Sequence, residues 1–258
     1  IFRMGLIGAV IATFCSYVVI TIWMFHDVFV RMSETKLDLR TYSMKLPIIM
    51  KITRIGFPAM VNYMLIYFGF FLINKEMEKY GAIALTGQGI AANINSLCFN
   101  LPSSIGTAVT TMISINMGLK NIEKSKKIFT YSWITSVVIA ALTIILIVPL
   151  NHNMISLFTK NSEVAVIADN ALNIFTYSII GFGIFTVCQG VYVALGKNNI
   201  PLIMSILRIW LFRYAFILLT QKFLGLYSIF WGNLFSNTAA GILFFYLVKT
   251  LDWENVDI

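Results

Sequence analysis

The chain reads as long apolar blocks separated by short polar segments, with no run of period-two alternation. Seven blocks can be drawn, over 5–25, 55–73, 82–116, 128–150, 164–195, 200–221 and 226–248. Each meets the roughly 20 residues an α-helix needs to cross the hydrocarbon core of a bilayer. Helices satisfy their own backbone hydrogen bonds there, whereas a β-barrel would show alternating segments of about ten residues. The pattern predicts an all-α fold: a polytopic transmembrane helical bundle of about seven spans.

The charges follow the same partition. Of 19 basic and 11 acidic residues, only Asp169, Arg208 and Arg213 fall inside a block. Hydrophobic residues make up 59% and charged residues 12%, against about 45–50% and about 25% in soluble domains, so a soluble fold is excluded. The first block is too long for a secretory leader, lacks a small-residue cleavage site, and precedes six more spans. The sequence opens at Ile1 rather than Met, about a turn before that block, which reads as a piece of a longer protein.

Lys and Arg set the orientation. Arg31, Lys36, Arg40, Lys45, Lys51 and Arg54 follow the first block, and Lys120, Lys124, Lys126 and Lys127 follow the third. Lys197 and Lys249 fall on the same side, which the positive-inside rule places in the cytoplasm. Topology and lipid headgroups therefore account for the net charge of +8 without nucleic acid. Cys15, Cys98 and Cys188 lie inside apolar blocks and read as small buried hydrophobes; His26 and His152 sit far apart at block ends. No metal site, cofactor site or catalytic constellation is expected, so the chain is not read as an enzyme.

Two blocks are too long. The 35 residues of 82–116 would reach roughly 52 Å as a helix, against ~30 Å of hydrocarbon. Pro102 in this block, and Gly181 and Gly183 in the fifth, are the expected kinks. Polar side chains gather on these helices. Asn93, Ser96 and Asn100 share one face of the third, and Asn170, Asn173 and Tyr177 share one face of the fifth, with Gln189 beyond; the second carries Asn62, Tyr63 and Tyr67. Amides cannot face lipid unpaired. For each residue the plain reading is interhelical hydrogen bonding. Three polar faces together predict a shared cavity lined by Asn62, Tyr63, Tyr67, Asn93, Asn100, Tyr177 and Gln189. Arg208 and Arg213 flank Trp210 in the sixth block, read as ion-pair partners or as contacts for an anion. No Asp or Glu lies deep in any block.

A weak internal repeat relates Gly5-Leu6 and Ser16 to Gly225-Leu226 and Ser236. The stretch Gly5-Leu6-Ile7-Gly8-Ala9-Val10-Ile11-Ala12-Thr13 resembles the opening of the sixth helix of multidrug and toxic compound extrusion (MATE) transporters. Pro58 resembles the proline opening their seventh helix. Pro102 to Asn121, with Asn116 and Gly118, looks like the end of their eighth. Gly196-Lys197-Asn198-Asn199-Ile200-Pro201, with Ser205 and Arg208, looks like their loop from helix ten to eleven. Leu224-Gly225-Leu226 with Trp231 resembles the start of the twelfth.

The resemblance implies residues 1–25 as the last helix of an N-terminal lobe, 26–54 as a cytoplasmic linker, 55–249 as a six-helix C-terminal lobe and 250–258 as a cytoplasmic tail. It further implies a multidrug efflux antiporter in a bacterial plasma membrane, exchanging small amphipathic cations for Na+ or H+ by alternating access. Family members often place Gly-Gln before the asparagine matching Asn116, where this chain has Ser114 and Ile115. Some carry a glutamate in helix seven and an aspartate in helix ten, where this chain offers Asn62 and Tyr63, and Thr186 and Gln189. The coupling-ion site is accordingly expected in the N-terminal lobe, outside this sequence. The alternatives are a flippase for lipid-linked oligosaccharides, whose anionic cargo would use Arg208 and Arg213, and a non-catalytic membrane subunit.

Overall fold

A computed structural model describes residues 5–27 and 46–254. Every element among them is helical. We number them α1 (Gly5–His26), α2 (Leu46–Glu78), α3 (Ala82–Gly118), α4 (Ile122–Ser156), α5 (Ser162–Ala194), α6 (Asn199–Leu224) and α7 (Tyr227–Lys249). Each coincides with one apolar block of the sequence. Helices α4, α5 and α6 are each long and apolar enough to cross a membrane. The chain divides into two compact units, Ile1–Gly56 and Phe57–Ile258.

The helix ends follow from their terminal residues. Asn161 opens α5 by accepting hydrogen bonds from the backbone N–H groups of Glu163 (2.9 Å) and Val164 (3.3 Å). Asn121 caps α4 in the same way through Lys124 N at 3.1 Å. Beyond the end of α5 and its C-cap Leu195 comes Gly196, whose φ of 70° suits a residue without Cβ, and Lys197 N donates back to Tyr192 O at 3.0 Å.

Within the larger unit α5 is the centre. About 67% of its most apolar stretch is buried inside the protein, against 17% for α4 and 22% for α6. Glycines let its neighbours reach it. A Cβ on Gly106 of α3 would meet the carbonyl of Thr186. One on Gly181 would strike the backbone of Asn237 and Thr238 in α7, and one on Gly241 the carbonyl of Gly181. Small residues at such crossings bring helix backbones within van der Waals reach, which drives packing where lipid supplies no hydrophobic force. Gly183 faces Ser136 of α4 and Pro102 of α3. The expected kink residues are thus contact points, and α3 and α5 stay helical through all three.

Two apolar clusters occupy the two ends of this unit. One gathers Val109, Ile113, Phe129, Phe185, Tyr192 and Phe244; the other gathers Ile73, Met77, Ile94, Phe175, Ile217 and Phe230. Between them on α5, α6 and α7 lie Ser178, Arg208, Arg213, Asn233 and Asn237. The bundle therefore has a polar layer between its two larger apolar clusters, beside a smaller third one of Cys98, Ala140 and Ile179.

Two structural details fall within the segments expected as linker and tail. Helix α2 starts at Leu46, inside the segment expected as linker, most of which lies outside the described residues. The expected tail is not free at its start: Trp253 is buried, with its ring 6.4 Å from that of Phe129.

Replacing Gly241 by Leu should destabilise the protein by about 1–3 kcal/mol, because the side chain meets backbone that cannot yield. Gly89, whose Cβ position is open, should accept Ala with a change under about 0.5 kcal/mol. Thermal unfolding of the detergent-purified variants reads both.

Candidate functional site

The polar layer borders two cavities. The first, ≈ 510 Å³, runs between α3, α5 and α6 and is lined by Ser103, Thr107, Thr110, Thr186, Gln189 and Ser205, with Phe182, Phe185 and Arg208. The second, ≈ 370 Å³, is lined by Asn74, Gln88, Asn95, Asn233, Arg208 and Arg213, with four phenylalanines. Phe182 and Arg208 belong to both walls.

The two arginines meet there because of a local departure from α-helical geometry. Residues Leu207–Ala215 of α6 form a π-helix. In an α-helix, side chains five positions apart point roughly 140° away from one another. The i→i+5 bonding of a π-helix brings them onto one face. Arg208 and Arg213 are five apart and line the same cavity. Helix α2 holds the π segment: Trp210 Nε1 donates to Leu65 O at 3.2 Å, and Ile209 fills the space where Gly69 has no side chain.

Arg208 heads a chain of hydrogen bonds through neutral side chains. Its Nη1 donates to Asn237 Oδ1 at 2.8 Å; Asn237 Nδ2 donates to Asn233 Oδ1 at 3.0 Å; Asn233 Nδ2 donates to Ser178 Oγ at 3.4 Å. Each amide dipole turns its oxygen towards the guanidinium, so the bonds reinforce one another. The Arg208 guanidinium carbon also lies 4.9 Å from the ring centre of Phe185 and 5.4 Å from that of Phe182. Arg213 sits 5.5 Å from the ring centre of Phe70. Among the described residues it has no hydrogen bond or ion pair, and no Asp or Glu lines either cavity. The Nε atoms of both arginines, Gln88 Oε1 and Asn95 Oδ1 are buried without partners.

The expected site residues divide. Gln189, Arg208 and Arg213 line the cavities. Tyr63, Tyr67, Asn93, Asn100 and Tyr177 are exposed and line neither, and the Asn62 side chain is outside the described residues. Asn173, expected beside Tyr177, accepts from Asn151 Nδ2 at 2.7 Å, which is interhelical pairing. On α3 the polar residues lining the cavities are Gln88, Asn95, Ser96, Ser103, Thr107, Thr110 and Thr111, and of these Ser96 also belongs to the face read from the sequence. The signal that marks the lining residues is the stripe of small residues Gly87, Ala91 and Gly106: they turn α3 towards α5, and the polar positions bordering that stripe line the cavities. Thr186, expected only as a departure from a family acid, donates through Oγ1 to Pro102 O at 3.1 Å and lines the first cavity.

The described residues thus form a helical lobe with a polar layer that borders two cavities. The MatE family model matches residues 58–219, and the chain belongs to that family, whose members are transporters and not enzymes. Relatives include "Probable multidrug resistance protein NorM" of Thermotoga maritima, 25% identical over 98% of this chain and 54% of its own length. "Probable multidrug resistance protein YoeA" of Bacillus subtilis is 25% identical over 81% of this chain and 46% of its own. "Multidrug export protein MepA" of Staphylococcus saprophyticus is 24% identical over 96% and 55%. Among solved structures, an outward-facing "multidrug resistance MATE family transporter of the MOP superfamily" superposes with a TM-score of 0.82 at 21% identity, covering 95% of this chain and 56% of that one. A MATE in complex with MaL6 gives 0.83 at 22% identity, covering 96% and 56%. The chain thus spans about half the length of the relatives it matches.

Asn237→Leu should cost about 1.5–3 kcal/mol by leaving Arg208 without its acceptor. In a double-mutant cycle with Arg208→Met, measured by thermal unfolding, the coupling energy should be about 1–3 kcal/mol; a value near zero would mean the pair is independent.

Proposed function

We propose that this chain is the C-terminal part of a multidrug efflux antiporter of a bacterial plasma membrane, driven by Na+ or H+ through alternating access. The observation that carries the reading is the first cavity: a lobe from a family of transporters, with hydroxyls, an amide and aromatic rings facing a space of ≈ 510 Å³. Pockets of this size, apolar with a few convergent polar groups, suit drug-sized molecules. The relatives' names favour drug export over the flippase and subunit readings.

We place the coupling carboxylate in an N-terminal lobe, as the family resemblance implies. Cation binding there and drug binding in the cavity would each favour one lobe arrangement through differential affinity.

Cells producing the full-length transporter should extrude a cationic dye such as ethidium, and collapse of the sodium or the proton gradient should stop it. Efflux that survives collapse of both gradients would refute the coupling. Thr107→Leu and Gln189→Leu should each weaken efflux at unchanged membrane abundance, by roughly fivefold per lost contact of about 1 kcal/mol.

A further inference from the structure

The second cavity has a chemistry the efflux reading does not use. Two guanidinium groups face one space of ≈ 370 Å³ with no carboxylate in its wall. Taking an ion out of water costs several kcal/mol unless a partner of opposite charge or a set of hydrogen bonds replaces the water. For Arg208 the replacement is partial, through Asn237 and two phenyl rings; for Arg213 it is one ring. Both Nε atoms lack a partner. A guanidinium with N–H groups left unpaired offers parallel donors that match a carboxylate in bidentate fashion. The remaining wall is aromatic: Phe70, Phe99, Phe175 and Phe182.

We propose that the α2–α3–α6 cavity binds the carboxylate of a small aromatic or amphipathic organic anion, held by Arg213 and Arg208 with its apolar body among these rings. The same site disfavours organic cations more than the first cavity does, because two guanidinium groups line it against one there. The π-helix is what builds it, since α-helical geometry would turn Arg213 away from Arg208. The inference does not rest on the efflux reading: binding at equilibrium in detergent needs no gradient and no transport, so either can fail alone.

The test is isothermal titration of the detergent-purified full-length protein with benzoate, benzyl alcohol and benzyltrimethylammonium. Benzoate should bind saturably and raise the unfolding temperature, while the alcohol and the cation should do neither. Arg213→Gln should weaken benzoate binding roughly 10- to 100-fold, and Arg213→Lys, which keeps the charge but not the fork, by less. Benzoate binding no better than benzyl alcohol in the unmodified protein would overturn the proposal, as would unchanged benzoate affinity in a monodisperse Arg213→Gln variant. If Arg213→Gln does not fold, the three-probe comparison and Arg213→Lys decide the matter: equal affinity for benzoate and benzyl alcohol, or Lys binding as tightly as Arg, counts against it.

Discussion

Two guanidinium groups inside a greasy bundle, with no carboxylate lining their cavities, set the terms for everything around them. Arg208 is held by an oriented run of amides through Asn237 and Asn233 to Ser178, and by the faces of Phe182 and Phe185. Arg213 has Phe70 and open space. Neither arrangement replaces full hydration, so the space beside them has to hold water or an anion. A polar layer with two cavities is the physical consequence, and it lies across the waist of the larger unit, between two apolar clusters.

That layer keeps its place because the helices around it are locked by close backbone contact. Gly106, Gly181, Gly190 and Gly241 let α3 and α7 approach α5 so tightly that a methyl group at any of them would meet backbone. Trp210 and Gly69 clamp the π segment to α2. A π segment is costly in hydrogen-bond geometry and tends to appear where a side chain must be re-aimed. Here it aims Arg213 at the cavity shared with Arg208.

The helices were legible in the sequence because hydrocarbon tolerates so few charges: blocks free of charge became α1 to α7. The two arginines stood out for the same reason, being almost the only ionised groups inside. The facing of α3 was harder to read. Asn93 and Asn100 share a face at helical spacing, and so do Gln88, Asn95 and Ser103; polar periodicity cannot choose between them. The choice is made by packing, since Gly87, Ala91 and Gly106 are the positions at which α5 can come close. The π segment had no local signal, because Leu207–Ala215 scans as ordinary helix, and only its tertiary contacts with α2 and α7 accompany the altered turn. Trp253, counted as tail by its polar neighbours, was drawn in by an aromatic partner far along the chain.

If the polar layer meets water, the Ser103–Thr107 face of α3 is where it does so. In a background without Cys15, Cys98 and Cys188, single cysteines at Ser103, Thr107 and Gln189 can be exposed to a charged, membrane-impermeant thiol reagent in intact vesicles. Modification is expected at all three, slowed by benzoate if the two cavities communicate through Arg208. Protection of all three while the protein remains folded would mean that the layer is dry and that Arg213 faces no water.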